Sequence, residues 1–180
     1  PNPVKPGFQL PPGACDAHCH VFGPGDVFPY HPSRSYTPPD ASRQTLKNLH
    51  DFLGLERAVI VQASCHGPDN TAMLDAIAHS NGKYRGVCHI DESTTEKDLH
   101  DLHDGGVRGV RFNFVKHLGG APDIDFLRRT VDVIRGLDWH LVLHFDAADS
   151  LEYKSLLEEL SIRIVIDHMG RPKVAEGVEQ

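Results

Sequence analysis

The sequence predicts an α/β protein with the architecture of a (β/α)8 TIM barrel, of which it holds only about the first six βα units. Three observations carry that expectation. Short, nearly continuous β-branched runs alternate with amphipathic segments along the 180 residues. Polar residues collect at the C-terminal end of nearly every run, the rim on which barrel enzymes build their sites. No GxGxxG or GxxxxGKS/T run follows a strand, which leaves a nucleotide-binding open sheet without its main support.

The elements follow in order. The first strand is expected within Ala14–His20. A Pro-, Gly- and aromatic-rich connection, Val21–Pro39, comes next, and its length suits a functional loop over a site. A helix opening at Pro39-Asp40 places Leu46, Leu49 and Leu53 on one face and stops before Gly54. The second strand is Ala58–Gln62, and its helix opens at Asp69-Asn70 with Met73, Leu74 and Ile77 inward. Gly86–Ile90 is the third strand, followed by a helix from Thr94-Thr95 to Gly105. Val107–Phe112 is the fourth, and its helix runs from Pro122-Asp123 through Phe126, Leu127, Val131 and Ile134 to Gly136. Trp139–Phe145 and Ile162–Asp167 are the fifth and sixth strands, with a helix carrying Leu156, Leu157 and Leu160 between them. Gly54, Gly82, Gly105 and Gly136 are expected to supply left-handed helix caps. Pro1–Gly13 reads as a Pro-rich extension ahead of a single barrel domain, 14–180. The units recur about every 30 residues, so eight would need about 240, and the barrel is expected to be C-terminally incomplete.

Composition excludes several classes. Eighteen Lys and Arg against 25 Asp and Glu give a net charge of −7, which does not favour a nucleic-acid or anionic-membrane partner. No apolar stretch approaches the roughly 20 residues of a membrane span, and no secretory signal is visible at the N-terminus. Four unevenly spaced cysteines read as reduced thiols, so a cytoplasmic location is expected.

Thirteen histidines are the unusual count. In Asp16-Ala17-His18-Cys19-His20, strand alternation is expected to point Asp16, His18 and His20 to one face and Cys15 and Cys19 to the other. Two imidazoles about 7 Å apart along a strand face can reach one divalent cation. His168, in an apolar strand ending Asp-His and turning on glycine, brings a third imidazole to the same rim. His144 is either a core histidine or a further ligand. Arg111, beside Asn113, needs an anion, which is either a substrate carboxylate or an acid on the rim. Next to a packed Cys65, Ser64 and His66 are the polar groups of interest. His100 and His103 sit on a solvated helix face.

DAHCHVFGP, VIVQASCHGPDN, GVRGVRFNF and IVIDHMGRP together resemble the amidohydrolase-2 branch of the amidohydrolase superfamily. Within it they are most similar to 2-pyrone-4,6-dicarboxylate lactonases and related lactone hydrolases. The resemblance implies a barrel that hydrolyses a small carboxylated lactone in aromatic-compound catabolism. It implies catalytic roles for His18, His20 and His168, and substrate contacts from Tyr36, Ser64, His66 and Arg111. It further implies a divalent ion, Zn or Mn, on His18, His20 and His168, although members of the branch differ in needing one. Three departures stand out. His117 occupies the position of a second carboxylate-binding arginine, and His144 that of a tyrosine, which suits an added metal ligand. The eighth-strand aspartate that acts as general base is absent, so these 180 residues alone are expected to be inactive. The alternatives are a lactone isomerase, a metal-dependent decarboxylase or a non-catalytic acid-binding relative.

Overall fold

The computed structural model describes residues 3–116, 120–173, 175 and 177. His117, expected at the substrate, lies outside the described residues. Six parallel strands form one sheet in unbroken chain order: β1 (Cys15–Cys19), β2 (Arg57–Val61), β3 (Tyr84–Cys88), β4 (Val107–Asn113), β5 (His140–His144) and β6 (Ile164–Ile166). A doubly wound sheet reverses its strand order at a switch point, whereas a barrel adds each strand beside the last. The order here is that of a half-barrel, as the sequence predicts.

Helices α1 (Arg43–Leu53), α2 (Thr71–Ala78), α3 (Glu96–Asp104), α4 (Ile124–Gly136) and α5 (Lys154–Glu159) connect the strands. Strand alternation divides the core into two layers. Ile60, Cys88, Val110, Leu141 and Leu143 face the helices and pack with Met73, Leu99, Leu127 and Ile134. Val61, Val87 and Val142, with Val59 beside them, form a small cluster on the opposite, inner face. Gly86 permits close helix approach, since a Cβ there would lie 2.9 Å from Met73 Sδ and Ile77 Cδ1.

Several expectations need correcting. α1 starts at Arg43 rather than near Pro39, because Ala41 is taken by an antiparallel bridge to Phe22 that closes the long connection on itself. Gly54 and Gly82 adopt positive φ as expected, but Gly105 is right-handed and Gly136 lies inside α4. Gly106 and Asp138 make the left-handed turns instead. The most consequential correction is in β1. Asp16 pairs with Ala58 and Cys19 with Ile60, so three steps on β1 oppose two on β2. This bulge reverses the alternation. Asp16 therefore joins Cys19 on the helix side, against His50 of α1, and does not share a face with His18.

Candidate active site

The site forms where the strands end. β1 supplies His18 and His20, β4 supplies Arg111 and Asn113, and β5 supplies His144. The turn after β6 supplies Asp167 and His168. His168 and Met169 both hold left-handed backbone, φ 52° and 53°. Such conformations cost about 1 kcal/mol or more in a non-glycine residue and concentrate at functional sites. The turn carries the His168 ring to 5.2 Å from His18 and 4.9 Å from His144, centroid to centroid. His18 and His20 are 5.1 Å apart, nearly perpendicular. The three histidines of the expected catalytic set are thus brought together, with His144 beside them.

Asp167 lies at the centre of the cluster, 4% exposed. Its Oδ1 is 3.2 Å from His18 Nδ1 and its Oδ2 is 2.7 Å from Arg111 Nε. The arginine contact is an ion pair whose N–H is not aligned with the oxygen, and neither atom has another hydrogen-bond partner among the described residues. Burial pushes the Asp167 carboxyl up. The His18 hydrogen bond and the charges of Arg111, His18 and His168 outweigh it, so its pKa lies below the ordinary 3.8. Of the two anions expected for Arg111, the rim acid is present.

Each imidazole's hydrogen bonds fix what it offers to the cleft. His18 donates from Nδ1 to Asp167, which leaves Nε2 as a buried lone pair with no partner among the described residues. His20 donates from Nδ1 to the Val61 carbonyl, 2.7 Å, which leaves Nε2 as its lone pair. Burial lowers the His20 pKa despite that carbonyl, and the His18 and Arg111 charges add to the shift. His144 differs. His144 Nδ1 lies 2.9 Å from Arg111 Nη2, an obligate donor, and 3.0 Å from the Asn113 side-chain amide, which can turn its NH2 to the ring whereas the arginine cannot accept, so the proton is assigned to Nε2. Burial, then the Arg111 and His168 charges, push its pKa down to about 4, and the ring is neutral at pH 7. In this arrangement His144 Nε2 is a donor, whereas a fourth metal ligand would offer a lone pair.

The donor set fits a divalent cation. The ligand atoms of His18, Asp167 and His168 lie within 4.8 Å of one another. Carboxylate-oriented and carbonyl-oriented imidazoles such as His18 and His20 are the usual form of ligating histidine. Asp167 is also held by Arg111, and His20 is not among the atoms of this group.

The remaining expected contacts separate. Tyr36 is 42% exposed and lies beside Ser64 and Cys65, just after β2. His66 is 1% exposed, and both its ring nitrogens are occupied by backbone of the long connection. Nδ1 donates to the Pro29 carbonyl and Nε2 accepts from Gly23 N–H, both at 3.2 Å, while the ring stacks on Tyr30 at 4.6 Å. It anchors the loop over the site and offers no free nitrogen to a substrate.

Two residues went unrecognised in the sequence. Asp167 figures there only as the acid that ends the sixth strand, and His89 carries no motif. His89 follows β3 on the inner face, with its backbone clamped on both sides by the Asn70 amide, 2.8 and 3.1 Å. Its Nδ1 is buried without a partner among the described residues. Burial and the Arg111 charge lower its pKa. Its alternation with Val87 was the available signal.

A half-barrel whose strand ends converge on imidazoles, a buried carboxylate and a buried arginine is a candidate site of the β/α-barrel kind. The chain belongs to the amidohydrolase family, whose model matches residues 15–180. It is 52% identical over 178 residues to 2-pyrone-4,6-dicarboxylate hydrolase of Comamonas testosteroni, covering 99% of this chain and 58% of that protein. It is 42% identical over 175 residues to 4-sulfomuconolactone hydrolase of Rhizobium radiobacter, covering 96% of this chain and again 58% of the relative. An Acinetobacter baumannii crystal structure, described as a 2-pyrone-4,6-dicarboxylic acid hydrolase with citric acid bound, superposes with a TM-score of 0.81 at 28% identity, over 93% of this chain and 62% of that one. The chain therefore spans 58% of the length of both curated relatives. No helix among the described residues is long and apolar enough to cross a membrane.

Proposed function

We propose that this rim binds a small carboxylated lactone and serves its hydrolytic opening. The observation that carries the reading is the clustering of four imidazole rings beside the buried Asp167–Arg111 pair, with centroids 5.1 Å apart for His18–His20, 5.2 Å for His18–His168 and 4.9 Å for His144–His168. A developing oxyanion needs a donor aimed at it, and His144 supplies one that stays neutral at working pH. The Tyr36 and Ser64 hydroxyls, and the Arg111 N–H groups that Asp167 and His144 leave over, supply donors for a substrate carboxylate. The relatives named for a pyrone dicarboxylate and a sulfonated muconolactone, and the neighbour holding citric acid, support an anionic substrate. When bound at His18, His20 and His168, a Zn or Mn ion would supply Lewis acidity toward a carbonyl oxygen.

Asp167 is a poor candidate for the base that activates water, because His18 and Arg111 hold its proton affinity low. Its role is to orient His18 and hold Arg111. With Asp167 held in this way, no water-activating base is among the groups assigned at the rim, and these residues are proposed to bind the lactone without opening it.

Isothermal titration with 2-pyrone-4,6-dicarboxylate and with uncharged 2-pyrone tests the reading. The dicarboxylate should bind, and the uncharged ring should bind at least tenfold more weakly. Equal affinities would refute a carboxylate-selecting rim.

A further inference from the structure

Behind β1, on the face away from the cleft, lies a second polar chain that the proposed chemistry does not use. Tyr84 at the start of β3 places its hydroxyl 3.0 Å from His50 Nδ1, and His50 Nε2 is 3.3 Å from Asp16 Oδ2. The other Asp16 oxygen, Oδ1, accepts from the His18 backbone N–H at 3.1 Å. His50 is 1% exposed and Tyr84 8%, so these groups are committed to one another.

Donors and acceptors match in only one direction if Asp16 is ionised. A carboxylate can only accept, so His50 carries its proton on Nε2 and donates it to Asp16. His50 Nδ1 is then a lone pair, and the Tyr84 hydroxyl donates to it. Burial holds the Tyr84 pKa above its ordinary value, which keeps that hydroxyl protonated. The chain ends at His18 N–H, inside the stretch where three residue steps of β1 oppose two of β2. Without the bulge, alternation would put Asp16 on the cleft side with His18. With it, Asp16 reaches back to α1 while His18 and His20 enter the cleft.

We infer that Tyr84, His50 and Asp16 form a positioning relay that pins the β1 bulge and thereby aims His18 and His20 at the rim. These are positioning residues, since none touches the cleft. The inference deepens the proposed site, but its geometry stands apart from what the site binds. Cys19 lies close enough to Asp16 and His50 for the three to form a metal-ligand cluster. Its thiol is instead pushed up to about 12, chiefly by burial with the Asp16 charge adding, and it points at the Val59 carbonyl, 3.6 Å. The hydrogen-bond chain is complete without an ion.

The test uses the 180-residue chain labelled with 15N, reading the His18 amide exchange rate and the His50 ring tautomer by NMR. In the parent chain the His50 proton should reside on Nε2. Asp16→Ala should speed His18 amide exchange by about tenfold, the worth of a hydrogen bond to a carboxylate, while the Val110 amide in β4 is unchanged. Asp16→Asn should keep His18 protected through its amide oxygen. Its NH2 must then donate to His50 Nε2, so the His50 proton should move to Nδ1 and the relay should reverse. A purely packing role would not move that proton. Parent His50 protonated on Nδ1, or unchanged His18 exchange in folded Asp16→Ala, would overturn the relay. If Asp16→Ala does not fold, Asp16→Asn decides alone: a His50 proton that stays on Nε2 overturns it. None of these readouts involves a lactone, so failure of the proposed function and failure of the relay are distinguishable.

Discussion

Replacing Arg111 with methionine tests the electrostatic core of the site. The Arg111 and Asp167 side chains are 6% and 3% exposed, so solvent screens their pairing very little. Removing one partner of a buried pair costs about 3–5 kcal/mol, because the other charge is left uncompensated. Here the N–H is not aligned with the oxygen and His18 still donates to Asp167, so the low end, about 3 kcal/mol, applies. For a chain of this size, that lowers Tm by roughly 6–12 °C. The pH dependence identifies the cause. In the parent, the Asp167 pKa is depressed, so its stabilising contribution is full above the ordinary 3.8 and is lost as pH falls through the lower folded value. In Arg111→Met the largest opposing charge is gone while burial and the His18 hydrogen bond remain, so the Asp167 pKa rises from its depressed value. The penalty is then largest at pH 7 and shrinks toward pH 4 as the carboxyl protonates. Thermal melts of both chains at pH 7 and pH 4 read this directly. A Tm difference that is the same at both pH values, or below about 2 °C at pH 7, would refute the buried-pair reasoning.

Three further outcomes are expected. Zn or Mn titrated into the chain and followed by calorimetry should lose at least tenfold in affinity in His18→Ala, whereas His144→Ala should change it by less than about threefold, since His144 presents N–H and not a lone pair. His66→Ala removes two hydrogen bonds to the long connection, so limited proteolysis between Gly23 and Pro39 should accelerate and stability should fall by about 1–3 kcal/mol. The 180-residue chain incubated with carboxylated lactones should release no ring-opened acid by chromatography; turnover would show that a residue present here acts as the base.

Much of the fold is legible because buried parallel strands advertise themselves as continuous β-branched runs, as in AVIV and IRIVID. The beginning of α1 is not, since Ala41 is withheld from the helix by a bridge to Phe22, a contact set by loop closure and not by propensity. The bulge in β1 is invisible for a related reason: it exists only in the register against β2, and a single strand's pattern carries no trace of it. His18, His20 and His168 were legible from position at strand ends. Asp167 was hidden by a local reading, since an acid after a strand suits a turn or cap equally well. Only the tertiary approach of Arg111 and His18 reveals it as the hub. His66 erred the other way. Its motif suggested a substrate contact, but the ring is spent on the backbone of the loop above it.

The most direct test of the central claim is a crystal structure of this chain grown with 2-pyrone-4,6-dicarboxylate. The account predicts the lactone ring against His18 Nε2 and His20 Nε2, with a carboxylate within hydrogen-bond reach of Arg111, Tyr36 or Ser64. Density for the ligand instead in the cavity of about 940 Å³ lined by Lys5, Arg43, Lys47 and Lys83, with the rim empty, would contradict it.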